Sequence, residues 1–354
     1  MRPPKRYFVL SLLCMTTAVI AVLTLMIIST DNDSRKGDFK RNFICKTPVL
    51  LYHSKKMKGL RTICGIQENQ IYLETDSVGN IIETDSTLSN KRLLKIGIPD
   101  RKTVQSLYTT CVDSSYCYIM AGNVPEIIRY HLDGLSYQIF HFPKKLFSES
   151  LLVGDNDYVL RAYQKFKSNW DQVFIRWNPV KHILLTQENV PAKRGDAGFS
   201  TDGMLLFDRS TKHILYVEYY NNQFICLDTI LHVLYKGQTI DTISNTAIKV
   251  SSETTPYSKT ITNASPLHEI NLESNAVNDK LYIHSATPAK NESSKEFRSN
   301  AVIDVYSISD RHYLGSFYIP EYKEERLKDF ELAADKLIVL YANYVVVYSI
   351  PLNL

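Results

Sequence analysis

One short plan recurs six times along this chain: an apolar run, a tight polar turn, a second apolar run, another turn, and two further runs. The second run of each unit is the easiest to see. It reads QIYLE (70–74), SYCYIM (115–120), DYVLRAY (157–163), HILYVEYY (213–220), KLYIHS (280–285) and KLIVLYA (336–342). β-Branched and aromatic residues in rough alternation, broken by Asp, Asn, Ser and Gly, favour strands rather than helices. The 23 tyrosines suit pleated, half-buried surfaces. Repeats of this period build propellers or solenoids, because one unit cannot bury its own apolar face.

Each unit divides into four strands, A to D. The second gives TVQSLYTTC (103–111), SYCYIM (115–120), EIIRYH (126–131) and YQIFHFP (137–143). The first places strands near 60–66, 70–74, 80–85 and 93–98, and the fifth spans about 266–320. The sixth is one strand short: LKDFELA (327–333), KLIVLYA (336–342) and YVVVYSI (344–350) precede the end at Leu354. An unassigned apolar run, TPVLLYHSK (47–55), sits just before the first unit. If it completes the last unit, the ring closes without an open sheet edge. The expectation is therefore an all-β, six-bladed β-propeller over residues 46–354, closed by an N-terminal strand. Seven blades are the fallback, because 239–270 has room for more strands. Helix is expected to be nearly absent after residue 30.

Residues 1–30 stand apart. Arg2, Lys5 and Arg6 precede an uncharged stretch from Phe8 to Ile28. As a helix it would reach roughly 31 Å, about the hydrocarbon thickness of a bilayer. It is longer than a signal-peptide core, and MIIST (26–30) offers no convincing cleavage site, so it is read as an uncleaved transmembrane anchor. Residues 31–45 are read as a linker. The short basic head places the large domain outside the cytoplasm, periplasmic or extracellular. Removing the head's three basic residues takes the formal charge from +4 to about +1. With no basic stripe interleaved with aromatics, no nucleic-acid partner is expected.

Chemistry-bearing motifs are sparse. No H-E-x-x-H, G-x-S-x-G or C-x-x-C-H occurs, and no metal or cofactor is expected. Cys111 and Cys117 flank the turn VDSSY and form a candidate disulfide if the domain is exported; buried free thiols are the alternative. Arg61, Asp208, Arg209, Asp329 and Glu331 lie on inner strands and are candidates to line a central channel, although strand phase does not choose among them.

Loop lengths are more informative. In a four-stranded blade the A–B and C–D turns share one face, which we call plain. The B–C and D–A connections share the other, which we call looped. Long segments gather on the second: 164–171, 188–202, 238–261, 285–300 and 321–328. Long loops on a rigid scaffold are where binding tends to reside. Lys167 and Trp170 of the first segment should lie near Lys193, Arg194 and Asp196 of the second. An aromatic with flanking cations suits a carboxylate, a glycan or an acidic loop of a protein partner.

The blade pattern resembles the β-propeller superfamily over most of 45–354. The segment GMLLFDRSTKHILYVEYYNNQFICLDTILHVLYKGQTID (203–241) is similar to the fourth-blade region of uncharacterised, membrane-anchored bacterial propeller-like proteins. It lacks the G-H…W-D signature of WD40 repeats and the S-x-D-x-G-x-T-W box of sialidases. The resemblance supports architecture and carries over no site residues. The functional expectation is a membrane-tethered binding module, an accessory factor of an envelope complex, taking a protein partner or small ligand on its looped face. The alternative is a propeller-type hydrolase or lyase with its site at the channel mouth.

Overall fold

A computed structural model of the chain describes residues 5–32, 37–97, 108–133, 136–143, 146–166, 169–243, 250–254, 259–263, 268–333 and 335–350. The side chains of the first helix are described at 10 and 12–26, and those of 250–254 and 259–263 are not.

Six four-stranded antiparallel sheets follow one another along the chain, each with an inner strand A and an outer strand D, and the first five are wound in chain order. The inner strands are Leu60–Gln67, Tyr108–Asp113, Phe147–Gly154, Gly203–Asp208, Asn271–Val277 and Asp329–Ala333. Several A–B hairpins turn on two residues, as at Glu68–Asn69, Ser114–Ser115 and Asn278–Asp279. Glu68, Ser114, Asn278 and Asp279 have positive φ there, as such tight turns require.

Ring closure is visible in the core. Its buried apolar residues fall into six clusters, one per seam between neighbouring blades. In the second strand of each blade, alternate side chains go to alternate seams. Tyr282 joins the seam between blades 5 and 6, whereas Leu281 and Ile283 join that between 4 and 5. The closing seam sets Ile338, Leu340, Val345 and Val347 of blade 6 against Leu60, Ile63, Ile71 and Leu73 of blade 1. Each seam is a sheet-on-sheet interface of two apolar faces, so the ring is one domain rather than six. The chain is a six-bladed β-propeller.

Blade 6 takes its outer strand from the N-terminal side. Val49–His53 runs antiparallel to Val345–Ser349, with Val49 opposite Ser349 and Leu50 opposite Tyr348. This is the closure expected from the missing strand.

The linker expected at 31–45 is instead built into the domain over 37–45. Ser316 receives the Ile44 amide on its carbonyl (3.0 Å) and donates its own amide to the Asn42 carbonyl (2.8 Å), so the segment runs beside the outer strand of blade 5. Gly315 permits the close approach: a Cβ there would meet Ile44 Cγ1 at 2.1 Å. Arg41 is the anchor. It is buried, forms two bonds to Asp304 (Nε–Oδ1 2.7 Å, Nη2–Oδ2 2.9 Å), and pairs with Glu292.

Other details depart from expectation. A short helix, Ser294–Ser299, interrupts the 285–300 loop; Ser293 caps it, accepting from the Glu296 amide at 3.1 Å. Within 239–270, the described strands Val250–Thr254 and Lys259–Asn263 pair only with each other and make no seventh blade. Residues 5–32 form one helix whose described apolar side chains are exposed. Among the described residues no helix is long and apolar enough to cross a membrane.

Candidate functional site

The looped face is dominated by a connection folded down onto a hairpin. The second and third strands of blade 3, Asp157–Phe166 and Asn169–Asn178, are 10 residues each, and they pair as far as Phe166 opposite Asn169. The loop expected over 164–171 is therefore mostly strand. Trp170 sits opposite Lys165 in the ladder and is half-buried. Lys167 lies outside the described residues.

The 188–202 connection docks on this hairpin, so the two expected segments do come together. The Gly195 amide donates to Asp171 Oδ2 (3.2 Å), and Gln172 Nε2 donates to the Ala197 carbonyl (3.3 Å). Lys193 donates its ammonium to the carbonyls of Gln172 and Pro191 and sits 5.2 Å from the centroid of the Phe166 ring. Partial burial pulls its pKa down. Asp196 is buried and accepts from the amides of Gly198 (3.1 Å) and Ser200 (2.9 Å). Arg161, 1% exposed, holds the far end of the loop. It donates to the carbonyls of Gly198 (2.7 Å) and Thr201 (3.2 Å) and pairs with Asp202. Gly198 makes this possible: its φ is +83°, and a Cβ would come within 3.1 Å of Arg161 Nη2. Lys193 and Asp196 are thus occupied in shaping the loop, and exposed Arg194 is carried at its crest.

Cys111 and Cys117 are free thiols. Cys117 pairs with Val112, one position away from Cys111, so the two cysteines project from opposite faces of the sheet. The register excludes the bridge in this fold.

The ring also encloses a channel. A cavity of about 610 Å³ is lined from all six inner strands and contains Asp208, Arg209, Glu273, Asp329 and Glu331. A second cavity of about 360 Å³, at the looped end, contains Arg61, Glu74, Tyr108, Glu273, Lys328 and Asp329. All five inner-strand charges singled out from the sequence line one or the other. At the plain end Arg209 of blade 4 reaches across to Asp113 of blade 2 (3.0 Å), bracing that mouth.

Sequence reasoning missed Glu273, Glu149 and Glu74. A register signal could have found them. Thr62, Thr109, Glu149, Met204, Glu273 and Asp329 each pair with the fifth residue of the following strand, and so form one level near the looped end. Glu273 and Glu331 line the open channel and remain half-buried, but the surrounding protein pushes each up to about 8. Burial is the main cause and the Asp329 charge adds to it. Glu74 is raised by burial and eased by a bond from Thr110 Oγ1 (2.6 Å) and by Arg61. Asp329 accepts from the Ile63 amide (2.8 Å) and from the Thr62 hydroxyl. No group of three or more metal-ligating side chains occurs among the described residues.

No protein-family model and no curated protein matches the chain. Solved structures do match over most of its length. A member of the DUF4221 family from Bacteroides vulgatus aligns with TM-score 0.50 and 11% identity, over 89% of this chain and 98% of that one. Streptogramin B lyase aligns with TM-score 0.46 and 10% identity, over 86% and 97% of the two chains. The WD40 domain of Neurospora crassa Pan2 aligns with TM-score 0.47 and 8% identity, over 83% and 90%. At 11% identity the likeness to the DUF4221 member is one of fold.

Proposed function

We propose that this protein is a membrane-tethered β-propeller that acts as a binding module through its looped face. It works outside the cytoplasm as an accessory factor of an envelope complex. The observation that carries the reading is the fixing of the 188–202 loop. Three buried side chains, Arg161, Asp171 and Asp196, hold one loop in one shape. A tolerated surface insertion has no use for such investment, whereas a binding loop gains affinity from being ordered before contact. Exposed Arg194 on this loop and half-buried Trp170 on the hairpin beneath it supply the cation and the aromatic. The tether is supported by the uncharged stretch 8–28 and by the exposed apolar side chains of its helix.

The test is capture of cross-linked partners by the full-length protein in native membranes. A partner retained by wild type, lost with Trp170→Ala/Arg194→Ala and kept by the plain-face variant Lys212→Ala is the expected result. Equal capture by all three would refute the face assignment.

A second reading, a hydrolase or lyase, is favoured by one observation. Glu273, with its raised pKa, faces the channel mouth beside Asp329, and a carboxyl poised near neutrality suits general acid–base work. Turnover abolished by Glu273→Gln would support it.

A further inference from the structure

The level that carries the channel acids also governs what each blade presents to the next at the looped end. The fifth residues of the second strands are Glu74, Met120, Arg161, Val217, His284 and Leu340. Three of the six are polar, and two of those are answered across their seams: Glu74 by Thr110, and Arg161 by Asp202 and the Gly198 carbonyl. His284 shares its parity with Tyr282 and faces blade 6, yet no hydrogen-bond partner meets its ring among the described residues. It opens instead onto a cavity of about 310 Å³.

That cavity is unlike the channel. Its walls are Leu272, Phe297, Ala301, Ile319 and Leu327, and Ala301, Ile319 and Leu327 belong to the apolar seam between blades 5 and 6. The short helix Ser294–Ser299 and the 321–328 connection form its rim. Arg298 and Arg326 stand there; Arg326 shares its charge with Glu321 (3.2 Å), while Arg298 has no carboxylate partner among the described residues. The rim therefore carries one uncompensated positive charge above an apolar floor, with an unanswered imidazole inside. Burial, with the nearby Arg41 charge, brings the His284 pKa down to about 4, so at neutral pH the ring is uncharged and offers one donor and one acceptor. A mostly apolar cleft of this volume with a few convergent polar groups has the character of a small-molecule site.

We propose that this pocket binds a small monocarboxylic acid with an apolar body, its carboxylate at Arg298 and Arg326 and its hydrocarbon against Leu272, Ala301 and Leu327. The single net charge of the rim selects a monoanion. The assignment is independent of the channel and of the 188–202 loop, since none of their residues lines the pocket.

The probe is 4-phenylbutyrate, with 4-phenylbutan-1-ol and 4-phenylbutylamine as neutral and cationic analogues. Binding to the full-length protein in lipid nanodiscs is read by ligand-observed NMR against empty discs. Saturable binding of the acid is expected, with the alcohol and the amine at least about tenfold weaker, the factor that one charge-assisted contact commonly supplies. Arg298→Ala/Arg326→Ala should weaken the acid by a similar factor and leave the alcohol unchanged; both arginine side chains are at the rim, so the fold is retained. Ala301→Phe, which fills the floor, should remove binding of acid and alcohol alike. If that variant does not fold, the arginine pair decides alone. No saturable binding of the acid, equal binding of acid and alcohol, tighter binding of the amine, or indifference to the arginines would each overturn the proposal.

Discussion

Arg161→Met tests whether the 188–202 loop is held in place or merely rests on the hairpin. The substitution keeps most of the side-chain volume and removes the guanidinium. The buried Gly198 carbonyl loses its donor, whereas the Thr201 carbonyl keeps the Tyr216 hydroxyl (2.6 Å). That orphaned buried acceptor costs about 1–3 kcal/mol. The ion pair with Asp202 is discounted, because that carboxylate is 42% exposed and water can replace its partner. The local destabilisation is then about 1–3 kcal/mol, which corresponds to roughly 5- to 150-fold faster opening. The assay is amide hydrogen exchange at Gly198 and Ser200, whose N–H groups are bonded to Asp196. Exchange should rise there by that factor, with little change in the strands of blades 1 and 6. Partner capture should fall in parallel, although Arg161 is too deeply buried to touch a partner. Exchange within threefold of wild type in a folded variant would refute the reasoning, because the loop would then be fixed by something else.

Arg41→Met should release the 37–46 segment. It leaves Asp304 and Glu292 buried without their cation, at a cost of about 3–5 kcal/mol, and the check is a lowered thermal midpoint with faster exchange at Ile44 and Ser316. The pH dependence of stability follows from Glu273 and Glu331, each raised to about 8 in the folded protein from an unfolded value near 4.3. Between those values the unfolded chain has lost protons that the folded chain keeps, so their contribution is full below about pH 4 and is lost as pH rises towards 8. The thermal midpoint should therefore fall from pH 5 to 8, and fall less in Glu331→Gln. Closure of the ring predicts that Val49→Cys/Ser349→Cys, which face each other across two antiparallel strands, will oxidise to an intramolecular disulfide; only intermolecular dimers on a non-reducing gel would count against it.

The architecture was legible because propellers repeat. The strand deficit at 327–350 and the surplus at 47–55 sufficed to close the ring, since an unpaired edge has few other remedies. What escaped the sequence was mostly a matter of register. Cys111 and Cys117 bracket a turn, but whether they face each other depends on one residue of offset, and Val112 occupies the position opposite Cys117. Polar composition made 164–171 read as a loop, whereas the backbone ladder continues through it regardless of side chain. Charge in a loop makes Asp196 and Lys193 read as ligand groups; in the fold Asp196 satisfies amides of its own loop, and Lys193 satisfies the carbonyls of Gln172 and Pro191. Arg41 belonged to an apparent linker, and only its partners at 292 and 304, far along the chain, explain why it is buried. The capping pattern Ser293…Glu296 was readable, and it marked the helix that rims the pocket of blade 5.

The most direct test of the looped face as the working surface is exchange footprinting of the full-length protein, free and in complex with its captured partner. Protection should appear across 188–202 and the tip of the 157–178 hairpin, with the two-residue turns at 68–69, 114–115 and 278–279 unchanged. Protection confined to those turns would contradict the account.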